Sequence, residues 1–204
     1  LYVNQKMYGK GTNKPVDFHI ELCYDKSRNP SRLYLTGNNQ SNYICEVFYM
    51  KISIGGDVAV TKENFTLFDT ERVQELFHDV TDVFNRSDNV IVNLECALTD
   101  SDTPIQKFGP PLKGPIRTAE TLKKAGVTHC VLSNNHTFDY GKRGLYDTLN
   151  ALDNAGIAYT GVGENATDAR KDMIISDGKI KVAVLSVCEH EYSYALPDRI
   201  GTRE

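Results

Sequence analysis

VTHCVLSNNHTFDYGKRGLYDTLNALDNAGIAYTG, residues 127–161, is the stretch on which the fold of this chain turns. It opens with Val127–Ser133, an apolar run that reads as a strand. A polar segment follows, with two carboxamides, an imidazole and Asp139. Gly144–Ala155 then places Leu145, Leu149 and Leu152 on one side of a helix, and Gly156 ends it. Ile157–Gly161 reads as the next strand.

Outward from this unit the alternation continues. On the N-terminal side, Lys51–Ile54 reads as a short strand ending in Gly55-Gly56-Asp57. Asp69 can cap a helix whose Val73, Leu76, Phe77, Val80, Val83 and Phe84 form one apolar stripe. Asn89–Leu94 is a continuous apolar run, suited to a strand covered on both faces. Residues 99–116 read as a loop carrying Pro104, Pro110, Pro111 and Pro115, and Thr118 starts a short helix that Gly126 ends. Beyond residue 161, Met173–Ser176 and Lys179–Cys188 flank Asp177-Gly178, a two-residue hairpin signal. The pattern predicts an α/β domain with helices on both faces of its sheet.

Residues 1–49 follow another regime. They are rich in Asn, Ser, Tyr and Arg, with short β-like runs at Asp17–Tyr24, Arg32–Leu35 and Asn42–Tyr49. We expect a small β-rich appendage over 1–49, of unknown role, and a separate domain over 50–204.

The 204 residues suffice for one domain with or without an appendage, and 40% hydrophobic content supplies a core. Net charge is −4, from 27 acidic and 23 basic residues, so no basic field for nucleic acid is expected. No apolar run approaches the ~18–20 residues that cross a bilayer. The chain begins at Leu1 without a signal-peptide pattern, and an envelope anchor could precede it. Among the five cysteines (Cys23, Cys45, Cys96, Cys130 and Cys188) there is no CxxC pair, so buried thiols are expected rather than a zinc knuckle. An odd count favours a reducing, cytoplasmic setting.

The polar residues sit where strands end. Asp57 follows the first strand of the domain, Asn93 and Glu95 the second, Asn134, Asn135, His136 and Asp139 the third, and Glu189, His190 and Glu191 the last. Sites in parallel α/β sheets form beyond the C-terminal strand ends, where loops converge. Carboxylates, carboxamides and imidazole are ligands for hard or borderline cations. Each residue also has a plain reading: Asp57 as a turn residue, Asn93 and Glu95 as a solvated strand end, Asp139 as part of a turn, His190 as a surface histidine. Asn134-Asn135-His136 resists that reading, because carboxamides beside a buried strand need partners.

The order Ile54-Gly-Gly-Asp57-Val, Val92-Asn-Leu-Glu95, Leu122-Lys-Lys-Ala-Gly126-Val, Ser133-Asn-Asn-His136-Thr-Phe-Asp139-Tyr-Gly141-Lys-Arg-Gly144 and Gly161-Val-Gly163-Glu-Asn165 resembles the bacterial CapA-type capsule (poly-γ-glutamate) synthesis family over about residues 51–191. The resemblance implies a metallophosphoesterase-like, layered α/β/β/α sandwich of the calcineurin-like kind. It implies divalent metal (manganese, zinc, magnesium or iron) on Asp57, Glu95 and Asn135, with His136 protonating a leaving group or orienting substrate, and Asp139 orienting His136. Asn93, Glu189, His190 and Glu191 would line the rim, and Lys113 and Arg117, in and after the loop that includes Lys107, would approach an anionic substrate. That substrate would be a phosphate ester or a γ-glutamyl polymer. Other capsule-synthesis proteins would be partners, and a non-catalytic polyglutamate-binding or assembly role is the alternative. The Asp-x-His of ordinary metallophosphoesterases is absent here, since Val58-Ala59 follows Asp57. The family's later histidine segments do not appear either. We therefore expect this chain to represent the N-terminal part of the domain, with its metal incompletely liganded and little catalysis of its own.

Overall fold

The computed structural model describes residues 50–189 and 192–204, and the backbone of 32–35 and 43–46. The chain divides into two compact units, Leu1–Tyr49 and Met50–Glu204. In the first, β1 (Arg32–Leu35) pairs antiparallel with β2 (Tyr43–Glu46). The strand expected over Asp17–Tyr24 lies outside the described residues.

The second unit runs β3 (Ile52–Val58), α1 (Phe65–Asp69), α2 (Val73–Phe77), α3 (Val80–Phe84), β4 (Asn89–Leu94), β5 (Ala97–Leu98), β6 (Lys113–Gly114), α4 (Thr118–Ala125), β7 (His129–Val131), α5 (Gly141–Ala155), β8 (Ala158–Thr160), β9 (Val162–Gly163), α6 (Ala166–Ala169), β10 (Met173–Ser176), β11 (Lys181–Val184) and β12 (Gly201–Thr202). β3, β4, β7 and β8 form one sheet in that order, every pairing parallel. The result is a mixed α/β fold, a parallel sheet flanked by helices, in keeping with a metallophosphoesterase-like architecture. Two-stranded ladders, β5–β6, β9–β12 and β10–β11, lie outside the main sheet.

The core forms on one face of this sheet. Strand pleating puts Val90, Val92 and Leu94 of β4 on that face, with Cys130 of β7. Leu122 of α4 and Leu152 of α5 pack against them, fully buried. Burying each such leucine contributes about 1.5–3 kcal/mol. Both helices stop where expected, at glycines in the left-handed region: Gly126 at φ 101° and Gly156 at φ 65°. After α4, Val127 N–H bonds back to Leu122 C=O at 3.0 Å, closing the turn. The opposite face was expected to lie under helices as well. There Ile91 is buried, but Ile54 is 78% exposed.

Three further expectations need correction. The apolar stripe over 73–84 is not one helix but the end of a broken run, α1 to α3. Glu71 and His78 take positive φ, 57° and 47°, which interrupts helical geometry on either side of α2. The break turns Thr81 and Phe84 inward and leaves Val80 and Val83 largely exposed, and Asp69 closes α1 rather than capping a helix. The 99–116 loop contains β6, which pairs with β5. The hairpin strand stops at Val184, and its turn spans Asp177–Ile180, where Asp177 Oδ1 accepts the Lys179 and Ile180 N–H groups at 2.8 and 2.7 Å.

Candidate functional site

Asp57 was expected just after the first strand; it lies inside β3, past a bulge. Ile54 pairs with Ile91, and the next pairing is Asp57 with Asn93, so one extra residue of β3 is taken up at Gly55-Gly56. Without that residue Gly56 would oppose Asn93. The bulge thus turns the Asp57 carboxylate onto the face and level of Asn93. A side chain at Gly55 would press on Val92, with its Cβ 3.1 Å from Cγ1.

From Asp57 a chain of carboxamides crosses the strand ends. Asn93 Nδ2 donates to Asp57 Oδ1 at 2.8 Å. Asn134 Nδ2 donates to Asn93 Oδ1 at 3.0 Å and to Leu94 C=O at 2.9 Å. Asn134 Oδ1 accepts the N–H groups of His136 and Thr137 at 3.0 and 2.9 Å. Buried Asn134 therefore satisfies its own amide and fixes the turn that presents His136. Glu95 joins from the end of β4, its N–H held by Val58 C=O at 2.9 Å. Burial and then the adjacent Asp57 charge raise the pKa of its carboxyl, with His136 and Lys107 partly opposing.

Behind the rim, Asp139 has no exposed surface. Its Oδ2 lies 2.7 Å from His136 Nδ1 and accepts the Leu112 N–H at 2.7 Å. Its Oδ1 is met by the Lys107 ammonium. Lys107 Nζ also donates to Asn135 C=O at 2.8 Å and lies 3.2 Å from His136 Nδ1. A proton on Nδ1 pointed at a carboxylate leaves Nε2 as the ring nitrogen available for chemistry.

The structure thus brings together Asp57, Asn93, Glu95, His136 and Asp139. Asn135 carries an exposed side chain, and Glu189 is exposed too. Lys113 and Arg117 are engaged elsewhere: Lys113 Nζ bonds Asp102 at 2.8 Å and Ser101 C=O at 2.7 Å, and Arg117 pairs with Glu71 at 3.3 Å. His190 and Glu191 lie outside the described residues. Two residues carry more than their sequence context suggested. Asn134 stands out in the sequence as a carboxamide that must find partners after a buried strand, but nothing there gives it a role in the site. Lys107 offered no such signal; it reads as a loop cation, and only its distant partner Asp139 draws it inside.

In donor type the rim suits a hard divalent cation: two carboxylates whose charges face each other, with carboxamide and imidazole alongside. In number it is sparse, and among the described residues no group of three or more His, Cys, Asp or Glu is placed to hold a metal ion. A cation that retains several waters, as magnesium does, is the better match to two carboxylates.

Comparison with known proteins identifies the family. Residues 51–201 match the family described as bacterial capsule synthesis protein PGA_cap. The chain is 28% identical over 139 residues to the capsule biosynthesis protein CapA of Bacillus anthracis, covering 67% of this chain and 34% of that protein. It is 26% identical over 128 residues to the PGA biosynthesis protein CapA of Bacillus subtilis, covering 60% and 32%. A probable polyglutamine synthesis accessory protein of Mycobacterium tuberculosis is 43% identical over 49 residues, covering 24% and 13%. The chain therefore spans about a third of the length of the two CapA relatives. With the match extending from the first residues of β3 to the start of β12, this chain belongs to the bacterial capsule synthesis protein family PGA_cap.

Proposed function

We propose that the rim of Asp57, Glu95 and His136 is part of a metal-dependent hydrolase site that serves capsule polymer synthesis and acts on an anionic substrate, a phosphate ester or a γ-glutamyl chain. The observation that carries this reading is the meeting of Asp57 and Glu95, from different strands, beside a histidine backed by a buried aspartate. Asp57 and Glu95 would hold a divalent cation, and Asn135 is the further ligand that the family resemblance implies. Bound there, the cation would polarise the substrate and lower the pKa of a water. His136, oriented through Nδ1 by Asp139, would offer Nε2 to the leaving group or to a substrate oxygen. Asn93 holds the Asp57 carboxylate in place by donating to Oδ1.

Manganese titration by calorimetry tests the seat. Asp57→Asn and Glu95→Gln should each weaken binding by about tenfold or more. Binding unchanged in both variants would refute it. Hydrolysis of a generic phosphodiester and of poly-γ-glutamate, with and without chelator, then separates the substrate classes. A non-catalytic role, binding polyglutamate or partner proteins in capsule assembly, is the second reading; among the described residues Asp57 and Glu95 are the carboxylates that meet at the rim, fewer than a filled metal site uses, which favours it.

A further inference from the structure

The loop 105–112 is built around Asp139 as around a post. Ile105 N–H donates to Asp139 C=O at 2.8 Å, Leu112 N–H donates to Asp139 Oδ2 at 2.7 Å, and the Lys107 ammonium between them reaches Oδ1. Three points of attachment on one buried residue hold both ends and the middle of the loop. Gly109, at φ 85°, makes the turn, and Pro110 and Pro111 stiffen the return. What this clasped loop offers to solvent is Phe108, 92% exposed. A phenyl ring held out on a pinned loop keeps its hydration cost without any packing gain. Tyr192, 46% exposed, lines the same open cleft of about 280 Å³ as Phe108, with Gln106 and Lys107 completing the lining. Lys107 touches His136, so the cleft adjoins the rim.

We propose that Phe108 and Tyr192 are the two walls of a subsite that grips an amide-linked chain next to His136. The inference rests on the reading of the rim as a substrate site, and it adds the groups that hold the chain beyond the reacting unit. Two aromatic faces suit flat amide planes and the methylenes between them. The cleft has one carboxamide, Gln106, which can donate to and accept from one amide. A sugar unit would ask for several polar partners for its hydroxyls, and a polyphosphate presents nothing apolar to stack. The cleft opens to solvent rather than enclosing its contents, so recognition is of a chain passing through and not of an enclosed small molecule.

Calorimetry with a γ-linked glutamate tetramer, in the presence of manganese, tests this. The unmodified protein should bind the tetramer saturably and more tightly than a uronic-acid tetrasaccharide or tripolyphosphate. Phe108→Ala and Tyr192→Ala should each weaken tetramer binding about three- to tenfold, and Phe108→Tyr should stay within about twofold. Both rings are exposed, so the substitutions leave the core intact, and manganese affinity should not change in any of the three. Unchanged tetramer affinity in Phe108→Ala, preference for the saccharide or tripolyphosphate, or no saturable binding by the unmodified protein would each overturn the proposal. Loss of manganese binding tracks the rim instead: if Asp57→Asn leaves manganese binding unchanged while Phe108→Ala still weakens the tetramer, the metal reading fails and the aromatic subsite stands.

Discussion

Replacing Asp139 by asparagine keeps its shape and removes its charge, and so measures what the buried pair with Lys107 is worth. Asp139 has no exposed surface, and the Lys107 side chain retains 4%. In Asp139→Asn the carboxamide oxygen can still accept the Leu112 N–H, but the ammonium is left inside with the Asn135 carbonyl and His136 Nδ1 and no counter-charge. Removing one member of a buried pair costs about 3–5 kcal/mol, because the survivor is an uncompensated charge. Retention of one hydrogen bond puts Asp139→Asn near the lower end, about 3 kcal/mol. Lys107→Met leaves the carboxylate with His136 and the Leu112 amide and should cost a similar amount. The double variant removes both charges together, so its cost should fall short of the sum by about 2 kcal/mol. Urea unfolding followed by far-ultraviolet circular dichroism reads all three, provided the slope with denaturant is unchanged. Arg72→Ala is the control: Arg72 and its partner Glu75 are both more than half exposed, and such pairs contribute about 0–1 kcal/mol. Single substitutions costing under about 1 kcal/mol each, and adding without coupling, would refute the claim that this pair is buried and mutually dependent.

Three other outcomes follow from the same contacts. Asn134→Ala should destabilise by about 2–4 kcal/mol in thermal melts, since it strands the Leu94 carbonyl and the His136 and Thr137 amides, and manganese affinity should fall with it. Glu95 has a raised pKa in the folded chain, so the folded state binds its proton more tightly, and the associated stability is present at low pH and lost as pH rises above the ordinary carboxyl value. Glu95→Gln should therefore stabilise the metal-free protein at neutral pH and make no difference near pH 4, and at mildly acidic pH, where the carboxyl still holds part of its proton, manganese binding to the unmodified protein should release protons, visible as a buffer-dependent heat. Burial pushes the Cys96 and Cys130 thiols up to about 12, so alkylation at pH 8 followed by mass spectrometry should label both only after denaturant is added.

Much of the architecture could be read along the chain, because it rests on local chemistry. Periodic leucines define α5, an uninterrupted apolar run defines β4, and glycines after α4 and α5 stop those helices by admitting positive φ. These signals need no distant partner. The break between α2 and α3 escaped the same reading, since an apolar spacing persists whether or not the backbone at His78 stays helical. Which polar side chains meet depends on pairing between strands. The bulge at Gly55-Gly56 carries Asp57 to Asn93, and parallel register sets Asn93 beside the turn that bears Asn134 and His136. Lys107 shows the limit most clearly. Nothing in Ile105-Gln-Lys-Phe-Gly marks its ammonium for burial; it enters because Asp139, brought close by the fold, is a buried carboxylate that needs a counter-charge. Composition and period are properties of neighbours in sequence, whereas charge compensation is settled among neighbours in space.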